Sequence, residues 1–122
     1  MSFPTITLKA MNLEISPGLS SLVDQKLQTL GKLLPKDETD VSCEVEMEKL
    51  TEHQTGRIYR VEVNLIVAGT LHRAEACEEQ IEKAVDVVRD ELKRELQRAS
   101  GKRQSLMKRG GKMIKDMMRF GK

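Results

Sequence analysis

The side chains best suited to chemistry are few and scattered. A nucleophile needs Cys or Ser held against a His, and the chain has two histidines, His53 and His72, and two cysteines, Cys43 and Cys77. His53 falls in a polar stretch and His72 in a strand-like one, and neither has an orienting partner nearby in sequence. His72 with Cys43 and Cys77 lacks the close ligand spacing of a metal site. Two cysteines so far apart, outside any paired motif, are expected to be reduced structural thiols. Gly110-Gly111 lies among lysines with no strand before it, unlike a phosphate-binding loop. Glu44, Glu46 and Glu48 alternate with apolar residues, which is the pattern of a solvated strand face rather than of an acid–base pair. These residues predict a protein that is not an enzyme and that takes neither a metal nor a cofactor.

The charged residues are more informative. The net charge of +2 conceals a division along the chain. Residues 1–97 carry 12 Lys or Arg against 18 Asp or Glu, whereas residues 98–122 carry nine bases against Asp116 alone. So steep an asymmetry points to a polyanionic partner, because each phosphate neutralised releases condensed counterions. The candidate contacts are Lys26, Lys83, Arg89, Lys93, Arg94 and Arg98 on two helical segments, and Lys102, Arg103, Lys108, Arg109, Lys112 and Lys115 in the tail. The tail has a second character: Met113, Ile114, Met117, Met118 and Phe120 fall at helical spacings among its bases. A basic amphipathic segment of this kind can also dock in a protein groove or on an anionic membrane.

The elements that must position these bases can be read from periodicity. Thr5-Ile6-Thr7-Leu8-Lys9 alternates as a half-buried strand. Ser16-Pro17 then suits a helix N-cap and first helical position, and Leu19, Leu22, Val23, Leu27 and Leu30 recur on one face until Pro35. Lys26 falls within that stripe, where its stem can pack while its ammonium reaches the rim. Val41 to Met47, residues 59–67 and residues 70–76 read as three further strands, the last two joined at Ala68-Gly69. A second helix is expected from near Glu78 to near Ser100-Gly101, with Ile81, Ala84, Val85, Val88, Leu92 and Leu96 inward, and with Glu75, Glu78, Glu79 and Glu82 in its first turns.

The predicted order is βαβββα, an α+β fold with a four-stranded mixed sheet. The first two strands are parallel, because a strand–helix–strand crossover in one sheet is right-handed. One apolar stripe per helix and one apolar face per strand place both helices on one side. The other side, with Glu44, Glu46, Glu48 and Glu62, is expected to be acidic and wet. Leu22, Leu27, Leu30, Val45, Val61, Val63, Val85, Val88 and Leu92 form the predicted core. The domain is expected over residues 1–100, with residues 101–122 as a basic, Met-rich tail, flexible or helical on binding. No stretch approaches the roughly 18 uninterrupted apolar residues of a membrane span, and the first residues lack a basic segment followed by an apolar run. A cytosolic protein with no membrane partner is expected.

Several segments together resemble the short type of ribosome hibernation promoting factor and ribosome-associated translation inhibitor. They are Ile6-Thr7, Leu13-Glu14-Ile15-Ser16, Lys26-Leu27 with Leu30, Val45 with Glu48-Lys49, Val61-Glu62-Val63, residues 71–75, and the helix from Ala84-Val85-Asp86 to Leu96. The resemblance covers about residues 5–100 and implies the same βαβββα fold. It also implies a factor lodged in the small ribosomal subunit's channel for messenger and transfer RNA, with Lys26, Lys93, Arg94 and Arg98 as ribosomal RNA contacts and Lys83 and Arg89 beside them. Two departures stand out. An Asp-Met-Tyr string usual in the family is Gln80, Ile81 and Glu82 here, and usually basic positions late in the helix read Glu91, Gln97 and Ser100. The carboxy-terminal dimerisation domain of the long type is not expected. The contrasting expectation is a protein-binding regulator, such as a modulator of transcription machinery, using the Met-rich tail.

Overall fold

A computed structural model describes the backbone of residues 3–50 and 56–108, and the side chains as far as Gly101. The elements are β1 (Ile6–Met11), α1 (Pro17–Gln28), β2 (Val41–Lys49), β3 (Tyr59–Val67), β4 (Thr70–Glu78) and α2 (Ile81–Lys108), with a short 3-10 turn at Gly31–Leu33. This is the βαβββα order read from the sequence. The strands lie in the order β1-β2-β3-β4. β1 runs parallel to β2, with Leu8 beside Val45, and the other pairs are antiparallel, with Val45 beside Val63 and Val63 beside Ala74.

The reversal between β3 and β4 decides the register of that pair. Ala68 and Gly69 both have positive φ, 50° and 82°, the signature of the two-residue hairpin turn whose twist matches that of the strands. β3 and β4 therefore pair without offset from Val67 beside Thr70 to Tyr59 beside Glu78. At the start of α1, the Leu19 N–H donates to Ser16 Oγ at 3.1 Å, and Pro17 occupies the first turn. Such a cap contributes about 1 kcal/mol.

The core lies between the sheet and the two helices. Val23, Leu27 and Leu30 meet Val45, Met47, Val61, Val63 and Leu65 from the strands, and Val85, Val88 and Leu92 from α2, all essentially without exposure. Eight of the nine expected core residues are among them. Leu22 is not: it is half-buried, and Val23 takes the inward position. Both belong to the same broad apolar stripe, and the orientation of α1 against α2 decides which of them faces the sheet.

Three helix boundaries differ from expectation. α1 ends at Gln28, because the Thr29 hydroxyl donates to the Lys26 carbonyl at 2.6 Å and competes with the next helical turn. The tighter turn that follows still buries Leu30 and Leu34. α2 starts at Ile81, so Glu75 and Glu78 belong to β4, and Glu82 is the acidic residue of the first turn. At its other end α2 passes through Ser100-Gly101 to Lys108. Gly101 does not adopt the positive φ that would cap a helix, and a glycine inside one costs only about 1 kcal/mol. Its neighbours Lys102, Arg103 and Gln104 are sound helix formers.

Candidate nucleic-acid interface

The bases singled out in the sequence fall into two groups on α2, set by helical spacing. Asp86, Arg89 and Lys93, at intervals of three and four, share the flank that faces α1. There Lys26 Nζ lies 2.9 Å from Asp86 Oδ1, an ion pair without hydrogen-bond alignment around an enclosed oxygen. Lys26 is half-buried, with its stem in the apolar stripe and its head at the seam between the helices. Arg89 Nε donates to Asp90 at 2.7 Å and approaches Asp86 at 3.9 Å. Two of the expected contacts, Lys26 and Arg89, are therefore already drawn toward carboxylates of α2. Lys83, near the start of the helix, faces Glu78 at 3.5 Å.

The second group, Arg94 and Arg98, lies on the flank toward β4. With Glu91, Glu95 and Arg73 it lines a shallow cleft. Lys93, Arg94 and Arg98 are exposed and make no ion pair among the described residues. They are the bases most available to an anion. Lys102, Arg103 and Lys108 lie on the last turns of α2, where the backbone alone is described. Arg109, Lys112 and Lys115, with the rest of the Met-rich tail, lie outside the described residues.

Across the sheet, the face expected to be acidic and wet is organised around a cation. Arg60 reaches Glu46 and Glu48 at 3.2 Å each, Glu62 at 2.8 Å and Glu75 at 2.9 Å. Arg73 adds a second guanidinium at 2.7 Å from Glu62. The strand register explains the convergence: Arg60 sits directly opposite Glu48 on β2 and Cys77 on β4, one step from Glu46, Glu62 and Glu75 on the same face. Burial works against the charge of Arg60, but hydrogen bonds to Glu75 and Glu46 outweigh it and hold the group charged. Glu62 is only 8% exposed, because guanidinium groups lie over it and not because it is deep in the core. The Asn64 amide, then Arg73 and Arg60, hold its carboxyl below the usual carboxylate range against the opposing effect of desolvation. The face therefore stays net acidic, as expected, but Arg60 and Arg73 offset part of the charge of its carboxylates.

Arg60, Arg73 and Asp86 are the residues of this charge arrangement that sequence reasoning passed over. A signal was present for two of them. Arg60 occupies a polar slot in the alternation of β3, and a lysine inside an apolar helix stripe calls for a counter-ion such as Asp86. Two further features sit apart from the bases. His72 is buried, with Nδ1 2.8 Å from Glu95 Oε1, which ties β4 to α2. Cys43 faces the core, where burial first and Glu44 second push its thiol up to about 12. Cys77 lies on the opposite face and across β3 from it, so the two thiols are free.

A mixed four-stranded sheet, with both helices on one face, a carboxylate–arginine lattice on the other and, among the described residues, unpaired bases along the outer side of α2, defines a small charged α+β domain. No described helix is long and apolar enough to cross a membrane. The chain belongs to the family described as Sigma 54 modulation protein / S30EA ribosomal protein, which matches residues 6–104. Comparison with curated proteins returns no match. Among solved structures, the Thermus thermophilus Protein Y N-terminal domain is 24% identical with a TM-score of 0.64, over 75% of this chain and 93% of that one. A ribosomal subunit interface protein from Coxiella burnetii is 19% identical with a TM-score of 0.62, over 79% of this chain and 97% of its own. These two share the fold.

Proposed function

We propose that this chain is a ribosome hibernation factor of the cytoplasm: it occupies the messenger and transfer RNA channel of the small ribosomal subunit and silences translation by occupancy, without catalysis. The observation that carries the reading is the polarity of the molecule. Most carboxylates of the sheet face are tied to Arg60 and Arg73, whereas Lys93, Arg94 and Arg98 stand unpaired on the helical side among the described residues. Family membership over residues 6–104 and the printed name of the Coxiella burnetii relative point to the same partner. In this reading residues 1–100 recognise the shape of ribosomal RNA through Lys26, Lys83, Arg89, Lys93, Arg94 and Arg98. Residues 101–122, with Lys102, Arg103, Lys108, Arg109, Lys112 and Lys115, add attraction for phosphate that does not depend on sequence.

Sedimentation with purified small subunits tests it. The protein is expected to pellet with them at low salt and to be released as salt rises, because several phosphate contacts lose orders of magnitude in affinity between about 50 and 200 mM salt. The family description also names sigma 54 modulation, and the second reading is a regulator whose Met-rich tail fills a groove in the transcription machinery. Apolar burial resists salt. Failure to pellet at low salt, with salt-resistant capture by a sigma-factor complex, would replace the first reading by the second.

A further inference from the structure

β4 is an edge of the sheet, and among the described residues it is long and uncovered. It runs for nine residues, without proline and with unbroken register to β3, whereas the opposite edge, β1, has six residues including Lys9. Natural edges are kept short, bulged or rich in lysine to prevent pairing with another chain.

The hairpin turn identifies which backbone groups are unused. In a two-residue hairpin the pair flanking the turn exchanges both hydrogen bonds, and bonded and non-bonded pairs then alternate. Thr70 beside Val67 is that flanking pair, so Thr70, His72, Ala74, Ala76 and Glu78 direct their N–H and C=O toward β3. The Ala68 N–H, which donates away from β4 to the Asp40 carbonyl at 2.8 Å, agrees with this phase. Leu71, Arg73, Glu75 and Cys77 are left with N–H and C=O pointing off the edge.

We infer that β4 is a self-pairing edge, and that two copies of this chain join there as a two-fold dimer with one continuous eight-stranded sheet. The inference rests on the self-complementarity of the strand. An antiparallel pair centred on Ala74 places Arg73 opposite Glu75 of the second copy, and Glu75 opposite its Arg73. It also places Leu71, 54% exposed in the single copy, opposite the half-buried Cys77. All four outward-facing residues then exchange backbone hydrogen bonds with their opposites. Other registers do worse: centring on Arg73 or on Glu75 sets like charges face to face, and a shift of one residue aligns outward groups with inward ones. The charges also continue across the joint. Arg60 holds Glu75 at 2.9 Å and Glu62 holds Arg73 at 2.7 Å within one copy, so Arg60, Glu75, the second copy's Arg73 and its Glu62 alternate in sign along one row. Opposite charges directly across a strand pair stabilise it, and like charges destabilise it.

The test is sedimentation of the full chain, free of ribosomes, over a rising concentration series. The wild type should pass from monomer to dimer. R73E and E75R each create two like-charged pairs by symmetry and should weaken association at least about tenfold. An equimolar mixture of the two variants should dimerise again, because each then meets its opposite. Hydrogen exchange on the wild type needs no variant: amides of Leu71, Arg73, Glu75 and Cys77 should become protected as concentration rises. A wild type that stays monomeric throughout, a mixture that fails to associate although both variants melt cooperatively, or four amides that exchange equally fast at every concentration would each overturn the proposal.

Discussion

Arg60 is the residue on which the outer sheet face depends, since Glu46, Glu48, Glu62 and Glu75 converge on it. Arg60→Ala leaves four carboxylates facing one another and is expected to lower stability by about 2 kcal/mol at neutral pH, a moderate figure because the face borders water. The pH dependence has a definite sign. The folded-state value of Glu62 lies below its unfolded one, so its contribution is present above the unfolded carboxylate value, about 4.3, and is lost as pH falls through the folded value. The difference between wild type and Arg60→Ala should therefore shrink on acidification below pH about 4, as read by urea denaturation at several pH values. A penalty that stays constant with pH would mean that Arg60 acts by packing alone. The thiols provide a separate check. A thiol reagent should label Cys77 in the native protein and reach Cys43 only on unfolding, because the latter is buried with its thiol pushed up to about 12.

At the scale of elements, periodicity was a good guide wherever one face of an element meets the core. The alternation of Val61, Val63 and Leu65 and the stripe of Val85, Val88 and Leu92 can satisfy only one phase, and both are completely buried. Val63→Ala and Leu92→Ala are each expected to cost about 2 to 4 kcal/mol in chemical denaturation. A loss below about 1 kcal/mol would show that the site collapses around the missing atoms. Element ends were less legible, because they depend on contacts that no hydropathy pattern carries. The hydroxyl of Thr29 bonding the Lys26 carbonyl, and the non-capping conformation of Gly101, each moved a helix boundary. The candidate site was legible as a list of bases and not as an arrangement. Sequence spacing put Arg89 and Lys93 on one flank of α2, but only the packing of α1 against α2 reveals that Asp86 draws in Lys26 and Arg89. The lattice of Arg60 required the register of β2, β3 and β4 together, which the sequence of one strand cannot supply.

For the whole molecule, the proposed partner poses a question: a domain that is net acidic through residue 97 would have to hold a polyanion. Glu46, Glu48, Glu62 and Glu75 gather on the face away from the helices, where Arg60 and Arg73 offset part of their charge, and α2 carries its basic residues along a helix that continues to Lys108. Beyond Lys108 come Arg109, Lys112, Lys115, Arg119 and Lys122 against Asp116. Ending the chain after Lys108 preserves the helix as described, Ile81–Lys108, and removes these five bases. Each phosphate contact contributes about 0.7 to 0.9 to the slope of log affinity against log salt, so the truncated chain should bind small subunits with a slope shallower by about 3 to 4. Its footprint on the ribosomal RNA should be unchanged, since Lys93, Arg94 and Arg98 stay on the rigid helix and shape recognition needs placement more than total charge. Filter binding across a salt series, with chemical footprinting at the lowest salt, reads both quantities. If the truncated chain keeps the full slope, the last residues are not an arm for RNA, and their methionines become the part to test against a protein groove.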